Sequence, residues 1–255
     1  KTTLAHAIAT AANLPFKCLQ CTNDLLASDV IGMSLWNPEQ KTFQFHPGPI
    51  FTHVLVADEL NRAPSKSQSA LLEAMEEGRV SIDGQWHDLP QPFWVVATQN
   101  PAEQMGTNPL PESQLDRFLI QVSLGYPDEQ SEKRMLARAF EARRGSPVTA
   151  LNINIEEERA KAQRVNIADN VLDYLYRLVV ETRNTTHFQR GLSPRAALGL
   201  VALSKAWAYL HRRDYVLPDD VQHVFPYVAT HRVAANTTRS SLAITMVLNT
   251  VPIHA

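Results

Sequence analysis

The sequence predicts an α/β domain built on a parallel sheet, followed by a small all-helical domain. Three observations carry this. Val54-Leu55-Val56-Ala57 and Phe93-Trp94-Val95-Val96-Ala97-Thr98 are short apolar runs, the pattern of strands buried on both faces. Helical and strand patterns alternate through the first half of the chain. Beyond Gly145-Ser146-Pro147, a linker-like stretch, helices dominate, which divides the 255 residues into 1–145 and 146–255.

Each element has its own signal. Leu4, Ile8 and Ala11 or Ala12 recur at helical spacing, and Leu14-Pro15 ends that helix. Pro15 to Cys21 reads as a strand, in which Cys18 and Cys21 point to opposite faces. Ile31 to Pro49 is turn-rich, broken by Gly32, Asn37-Pro38 and Pro47-Gly48-Pro49. Ser65 to Glu77 reads as a helix with a Ser65/Gln68 capping box, an apolar stripe of Leu71, Leu72 and Met75, and Gly78 as its C-cap. Arg79 to Leu89 is a hairpin with Asp83-Gly84 as a type I′ turn. In the second domain Asp169 to Thr182, Pro194 to His211 and Pro218 to Arg232 read as helices, the second opened by the cap residue Ser193 before Pro194.

Composition narrows the function. Hydrophobic residues make up 44% and charged residues 20%, enough apolar material for a sizeable core. Twenty-four Lys and Arg against 26 Asp and Glu leave a net charge of -2, without the basic excess of a dedicated nucleic-acid binder. No run approaches the ~20 apolar residues of a membrane span. No signal peptide stands at the start, although residue 1 is Lys rather than Met, so a targeting segment outside this sequence stays open. The two cysteines form a lone CxxC with no second pair to complete a four-ligand metal site, and they suit a reducing, cytoplasmic compartment. The nine histidines show no zinc-protease spacing, and His211-Arg212-Arg213-Asp214 fits a basic helix end.

The chemistry gathers at strand ends. Asp58-Glu59 directly follows the apolar run, which is the Walker B arrangement: a strand end delivers carboxylates to the carboxyl edge of a parallel sheet. Asp58 would hold Mg²⁺ and Glu59 would orient an attacking water. By spacing alone, two solvated acids after a core strand fit as well. Lys1-Thr2 before an apolar helix would be the end of a GxxxxGK[ST] loop, with the Lys on ATP phosphates and the Thr hydroxyl on Mg²⁺, although taken alone they fit any first two residues. Asn100 stands just past the second apolar strand, where an amide could position the water. A turn-forming Asn before Pro is the alternative. Arg117 could be an arginine finger offered to a neighbouring subunit, or a partner for Asp116. Arg195 sits at a helix start, either as a solvated arginine, which the dipole mildly disfavours there, or to bring positive charge onto phosphate.

Five stretches together resemble the MoxR family of AAA+ ATPases: Phe43-Gln44-Phe45-His46-Pro47-Gly48-Pro49-Ile50, Ala57-Asp58-Glu59-Leu60-Asn61-Arg62-Ala63, Gln68 to Gly78, Ala97-Thr98-Gln99-Asn100-Pro101, and Leu110-Pro111-Glu112-Ser113-Gln114-Leu115-Asp116-Arg117-Phe118. The match is dense from Asp24 to Asp128 and looser to the end. The resemblance implies a P-loop NTPase AAA+ core followed by a helical lid. It implies ATP and Mg²⁺ as cofactors, Lys1 and Thr2 as the Walker A ending, and Asp58 and Glu59 as Walker B. Asn100 would be sensor 1, Arg117 the arginine finger and Arg195 sensor 2. Ile31 to Pro49 would be an insert in the second helix, which in relatives projects with the Arg79 to Leu89 hairpin toward a pore or partner face. Family members form rings, commonly hexamers, and act as chaperone-like machines. They mature or assemble other proteins, often metalloenzymes, and often work with von Willebrand A-domain partners.

Two departures stand out. The Walker A glycines and the strand before them are not in this sequence, so the piece as given is expected to bind nucleotide poorly. Leu192 stands before Ser193-Pro194-Arg195 where a small residue is more usual. Two other functions fit less well. A nucleic-acid motor is disfavoured by the charge and by the absence of Lys or Arg at the Asp83-Gly84-Gln85 tip. A nucleotide-gated scaffold is disfavoured by the presence of Asp58, Glu59, Asn100 and Arg117 together.

Overall fold

The structure is a computed structural model that describes residues 2–100, 107–137, 148–151, 153–236 and 240–253. The Gly145-Ser146-Pro147 stretch lies outside the described residues. The chain divides into two compact units, Lys1–Pro109 with Ser123–Ile153, and Leu110–Val122 with Asn154–Ala255.

The first unit is α/β. Helix α1 (Thr2–Ala11) leads to β1 (Phe16–Gln20), then α2 (Ala27–Ile31), β2 (Gly32–Asn37) and β3 (Thr42–Pro47). Strand β4 (Val54–Asp58) is followed by a 3₁₀ turn at Leu60–Arg62 and by α3 (Ser65–Glu77). Strands β5 (Arg79–Ile82), β6 (Gln85–Asp88) and β7 (Trp94–Ala97) come next. The parallel sheet has the order β1-β4-β7. Val54, Leu55, Val56 and Ala57 are each 0% exposed, because β4 is the central strand and is covered on both faces. Strand β7, expected to be equally buried, is half-buried, since it ends the described sheet and has a neighbour on one side only.

Three local expectations are corrected. The α1 stripe that packs inward is Ala5 and Ala9, not Leu4 and Ile8, which are about half exposed. Small side chains let the helix lie close against β4. The turn-rich stretch Ile31 to Pro49 is an ordered β2–β3 hairpin. Its base closes where Gly32 and Gly48 meet: a Cβ on Gly32 (φ +98°) would come within 2.3 Å of the His46 carbonyl, so only glycine fits. The Ser65/Gln68 capping box is not formed, because Pro64 takes the N-cap position and pushes Ser65 into the first turn. Gly78 does end α3 in the left-handed conformation, with its N–H on the Ala74 carbonyl. Asp83 (φ 51°) and Gly84 (φ 77°) make the turn expected between β5 and β6.

In the rest of the chain, α4 (Glu112–Leu115) belongs to the second unit and α5 (Glu129–Ala137) to the first. The second unit continues with α6 (Ile155–Gln163), α7 (Asp169–Glu181), β8 (Phe188–Arg190), α8 (Pro194–Leu210), α9 (Pro218–Ala229), β9 (Ala234–Ala235) and α10 (Ser240–Thr250). Helix α9 stops three residues before Arg232, the end expected from periodicity. The core is one cluster centred on Tyr174, Leu178, Leu200, Val224, Phe225 and Ile244, drawn from α7, α8, α9 and α10. Each such buried side chain contributes about 1.5–3 kcal/mol. Along α8 the buried residues Ala196, Leu200, Ser204 and Ala208 recur every four positions. Leu192, unusual by size, is 2% exposed and belongs to this core.

Candidate functional site

The carboxyl edge of the first unit's sheet joins residues far apart in sequence. Register pairs Ala57 of β4 with Ala97 of β7, so the segments leaving both strands emerge side by side. Asp58 ends β4 and is held from two directions. Thr2 Oγ1, in the first turn of α1, donates to Asp58 Oδ1 at 2.9 Å. Thr98 Oγ1, just past β7, donates to the same oxygen at 2.5 Å and accepts the Glu59 backbone N–H at 2.9 Å. One buried hydroxyl thus ties the two strand ends together. The Leu60 N–H donates to the Thr98 carbonyl at 3.0 Å and Thr98 N–H to the Ala57 carbonyl at 2.9 Å, which adds two further links.

Glu59 adopts a left-handed backbone conformation (φ 55°), uncommon for a residue with a Cβ. Its carboxylate pairs with Arg62 Nε at 3.1 Å, in a bridge partly open to solvent. Such exposed pairs are worth little, so Arg62 does not lock the carboxylate in place. The turn after Glu59 is anchored by Gln68. Its Nε2 reaches the carbonyls of Leu60 (3.2 Å), Ala63 (3.1 Å) and Asn108 (2.9 Å) from a fully buried position on α3.

Thr2, Asp58 and Glu59 are therefore brought to one edge, with Asn100 two residues beyond Thr98 on the segment leaving β7. Lys1 lies outside the described residues. Among the described residues no three His, Cys, Asp or Glu side chains cluster to form a protein-only metal site. One carboxylate beside one hydroxyl suits Mg²⁺, which usually keeps several waters and takes substrate phosphate oxygens. The residues present therefore fit a magnesium nucleotide. Cys18 is exposed and Cys21 buried, the opposite-face placement expected of a strand, and burial together with the charge of Asp58 pushes the Cys21 thiol up to about 12.

Arg117 and Arg195 both belong to the second unit. Ser193 Oγ accepts the Ala196 N–H at 3.1 Å, capping α8 as expected, and donates to both carboxylate oxygens of Asp116, at 3.0 and 2.8 Å. Arg232, 5% exposed, donates from Nε to Asp116 Oδ1 at 2.8 Å. Its remaining donors go to the carbonyls of Asp116, Phe118, Leu119 and Val228. Burial pushes the Arg232 guanidinium below its ordinary range, Asp116 pulls it back, and the charge of Arg195 lowers it again. Beside it, burial holds His231 below its ordinary pKa, with Nε2 against the Phe118 carbonyl at 3.0 Å. Sequence reasoning alone misses Thr98 and Arg232 as site residues, and it gives Gln68 and Asp116 other partners, Ser65 and Arg117, than the structure does. A Thr following an apolar strand and a Gln three residues ahead of an apolar helix stripe are the available hints.

Known proteins agree with this reading. Residues 1–120 match the ATPase family associated with various cellular activities (AAA), and residues 180–245 match the AAA lid domain. The chain is 42% identical over 238 residues to the uncharacterized protein YeaC of Bacillus subtilis, spanning 91% of this chain and 73% of that one. It is 38% identical over 246 residues to chaperone MoxR1 of Mycobacterium tuberculosis, spanning 91% of this chain and 64% of the relative. A crystal structure of a candidate ATPase from Cytophaga hutchinsonii superposes with a TM-score of 0.87 at 35% identity, covering 99% of this chain and 82% of that one. With its parallel-sheet core, helical lid and shared sequence, the chain belongs to the MoxR family of AAA+ ATPases.

Proposed function

We propose that this chain is the ATP-hydrolysing core of a ring-forming, chaperone-like remodeller of partner proteins. The observation that carries the reading is the Thr2 hydroxyl on the Asp58 carboxylate at 2.9 Å, across 56 residues of sequence. Thr2 and Asp58 would hold Mg²⁺ and Lys1 would reach the phosphates. When bound there, Mg²⁺ would offset negative charge on the phosphates. Glu59, on a turn fixed by Thr98 and Gln68, orients and polarises the attacking water. Asn100 positions that water from the neighbouring strand. Arg195 would act on phosphate, and Arg117 would complete a neighbouring subunit's site in a ring, expected to be a hexamer.

A remodelling role has its own support. The β2–β3 and β5–β6 hairpins are joined by Phe45 packed on His87, with ring centroids 4.1 Å apart. They leave Trp36, Phe43 and Trp86 each more than half exposed, aromatic surface suited to gripping polypeptide. Client proteins, metalloenzymes among them, and a von Willebrand A-domain partner are the expected company, in the cytoplasm. No helix among the described residues is long and apolar enough to cross a membrane.

The test is Glu59→Gln in the full-length protein. ATP binding is expected to persist while turnover falls by about a hundredfold or more, because the water loses its orienting carboxylate. Turnover at the wild-type rate would remove Glu59 from the mechanism.

A further inference from the structure

The basic run His211-Arg212-Arg213 at the end of α8 has no part in the ATP chemistry. It forms one wall of a groove whose other wall is the end of α6. Arg164, at the cap of α6, and Arg212 both line this groove, and neither guanidinium has a hydrogen-bond or ion-pair partner among the described residues. Leu210, 72% exposed, and Val165, 4% exposed, add apolar surface to it. At about 790 Å³ it falls in the size range of ligand pockets, with room for several side chains.

The two walls are tied together. The Asn166 N–H donates to the Asp214 carbonyl at 2.8 Å, and the Val216 N–H donates to the Asn166 carbonyl at 2.9 Å. Arg213 grips Asp220 with both terminal nitrogens, at 2.6 and 2.5 Å. Lys161 is held by Glu157 at 3.1 Å and by Glu158 at 2.8 Å. The groove is thus formed before anything enters it, which lowers the ordering cost of binding.

Capping of α8 does not account for Arg212. Its backbone N–H donates to the Tyr209 carbonyl at 2.8 Å and the Arg213 N–H to the Ala208 carbonyl at 3.0 Å, so the backbone closes the helix by itself. Arg212 is left-handed (φ 57°), at the position past the cap where glycine is usual. The helix dipole favours a cation there by only about 0.3–1 kcal/mol, and it asks for no exposed leucine beside that cation.

We infer that this groove docks an acidic segment of a partner protein, with carboxylates on Arg164 and Arg212 and an apolar side chain on Leu210 and Val165. A guanidinium fork matches the two oxygens of a carboxylate. A nucleic acid fits less well. Its affinity grows with the number of cations that meet its evenly spaced phosphates. Here it would meet Asp214 in the groove, and Glu157 and Glu158 beside Lys161. None of these residues is assigned to ATP hydrolysis, so docking and turnover can be measured apart.

Fluorescence polarisation with the full-length protein reads the binding of short fluorescein-labelled peptides, each with a leucine set among glutamates at a different spacing. At least one spacing should bind, and its lysine-for-glutamate counterpart should not. Arg164→Glu combined with Arg212→Glu should weaken that peptide about tenfold or more, and Leu210→Ser about fivefold. Lys133→Glu combined with Arg134→Glu, on α5, should leave binding unchanged. Thermal unfolding and ATP hydrolysis should stay at wild-type levels in all of these variants, which separates lost docking from lost folding. Undiminished binding by the Arg164→Glu, Arg212→Glu protein would overturn the proposal, as would no binding across the peptides at about 1 mM. Single-stranded DNA that displaces the peptide, and that itself fails to bind the Arg164→Glu, Arg212→Glu protein, would overturn it in favour of a nucleic-acid site.

Discussion

Thr98 Oγ1 lies 2.5 Å from Asp58 Oδ1 while accepting the Glu59 N–H, so one hydroxyl holds both Asp58 and Glu59. Thr98→Val keeps the shape and loses both hydrogen bonds. The Glu59 N–H is then left unsatisfied, at a cost of about 1–3 kcal/mol in stability. Turnover should fall about tenfold to a hundredfold as Glu59 drifts. Thermal unfolding and steady-state ATP hydrolysis read the two effects separately.

Gln68 is 0% exposed and its amide nitrogen serves the turn that follows Glu59. Gln68→Leu fills the space but leaves carbonyls of Leu60 and Ala63 without that donor. A destabilisation of about 1–3 kcal/mol is expected, measured by urea unfolding.

Gly32 combines φ +98° with a His46 carbonyl oxygen that would stand 2.3 Å from any Cβ placed there. Gly32→Ala should open the base of the β2–β3 hairpin. Limited proteolysis should then cut between Ile31 and Pro49, while the wild-type hairpin resists.

His231 Nδ1 is buried without a hydrogen-bond partner among the described residues, and Arg232 stands next to it. The folded pKa is lowered from 6.5, chiefly by burial and further by the charge of Arg232, with the Phe118 carbonyl and then Asp116 pulling it partly back. Well above pH 6.5 both folded and unfolded forms carry neutral imidazole, so the group is silent. As pH falls below 6.5 the unfolded chain takes up a proton that the fold resists, and lid stability drops until the lower folded pKa is reached. Unfolding followed from about pH 7.5 to about pH 5 should show this slope, and His231→Gln should flatten it.

Much of the architecture is legible in the sequence because it rests on local patterns. The continuous apolar run of β4 announces a central strand, Asp83-Gly84 announces its turn, and Ser193-Pro194 announces a helix start. What stays hidden depends on partners distant in sequence. Ser193 reads as a cap, but its second bond goes to Asp116, 77 residues away. Thr98 gains its meaning only from the register between β4 and β7. Gln68 has the spacing of a cap partner for Ser65, yet the preceding Pro64 claims the cap, and burial turns the amide inward. Leu4 and Ile8 mislead because hydrophobicity marks a helix without saying which stripe a close-packed sheet admits.

The most direct test is steady-state ATP hydrolysis by the full-length protein across a protein concentration series, with and without DNA. Activity per subunit that rises with concentration and ignores DNA is the predicted result, since in the proposed function each site takes Arg117 from a neighbour. No hydrolysis at any concentration, or hydrolysis that requires DNA, would contradict it.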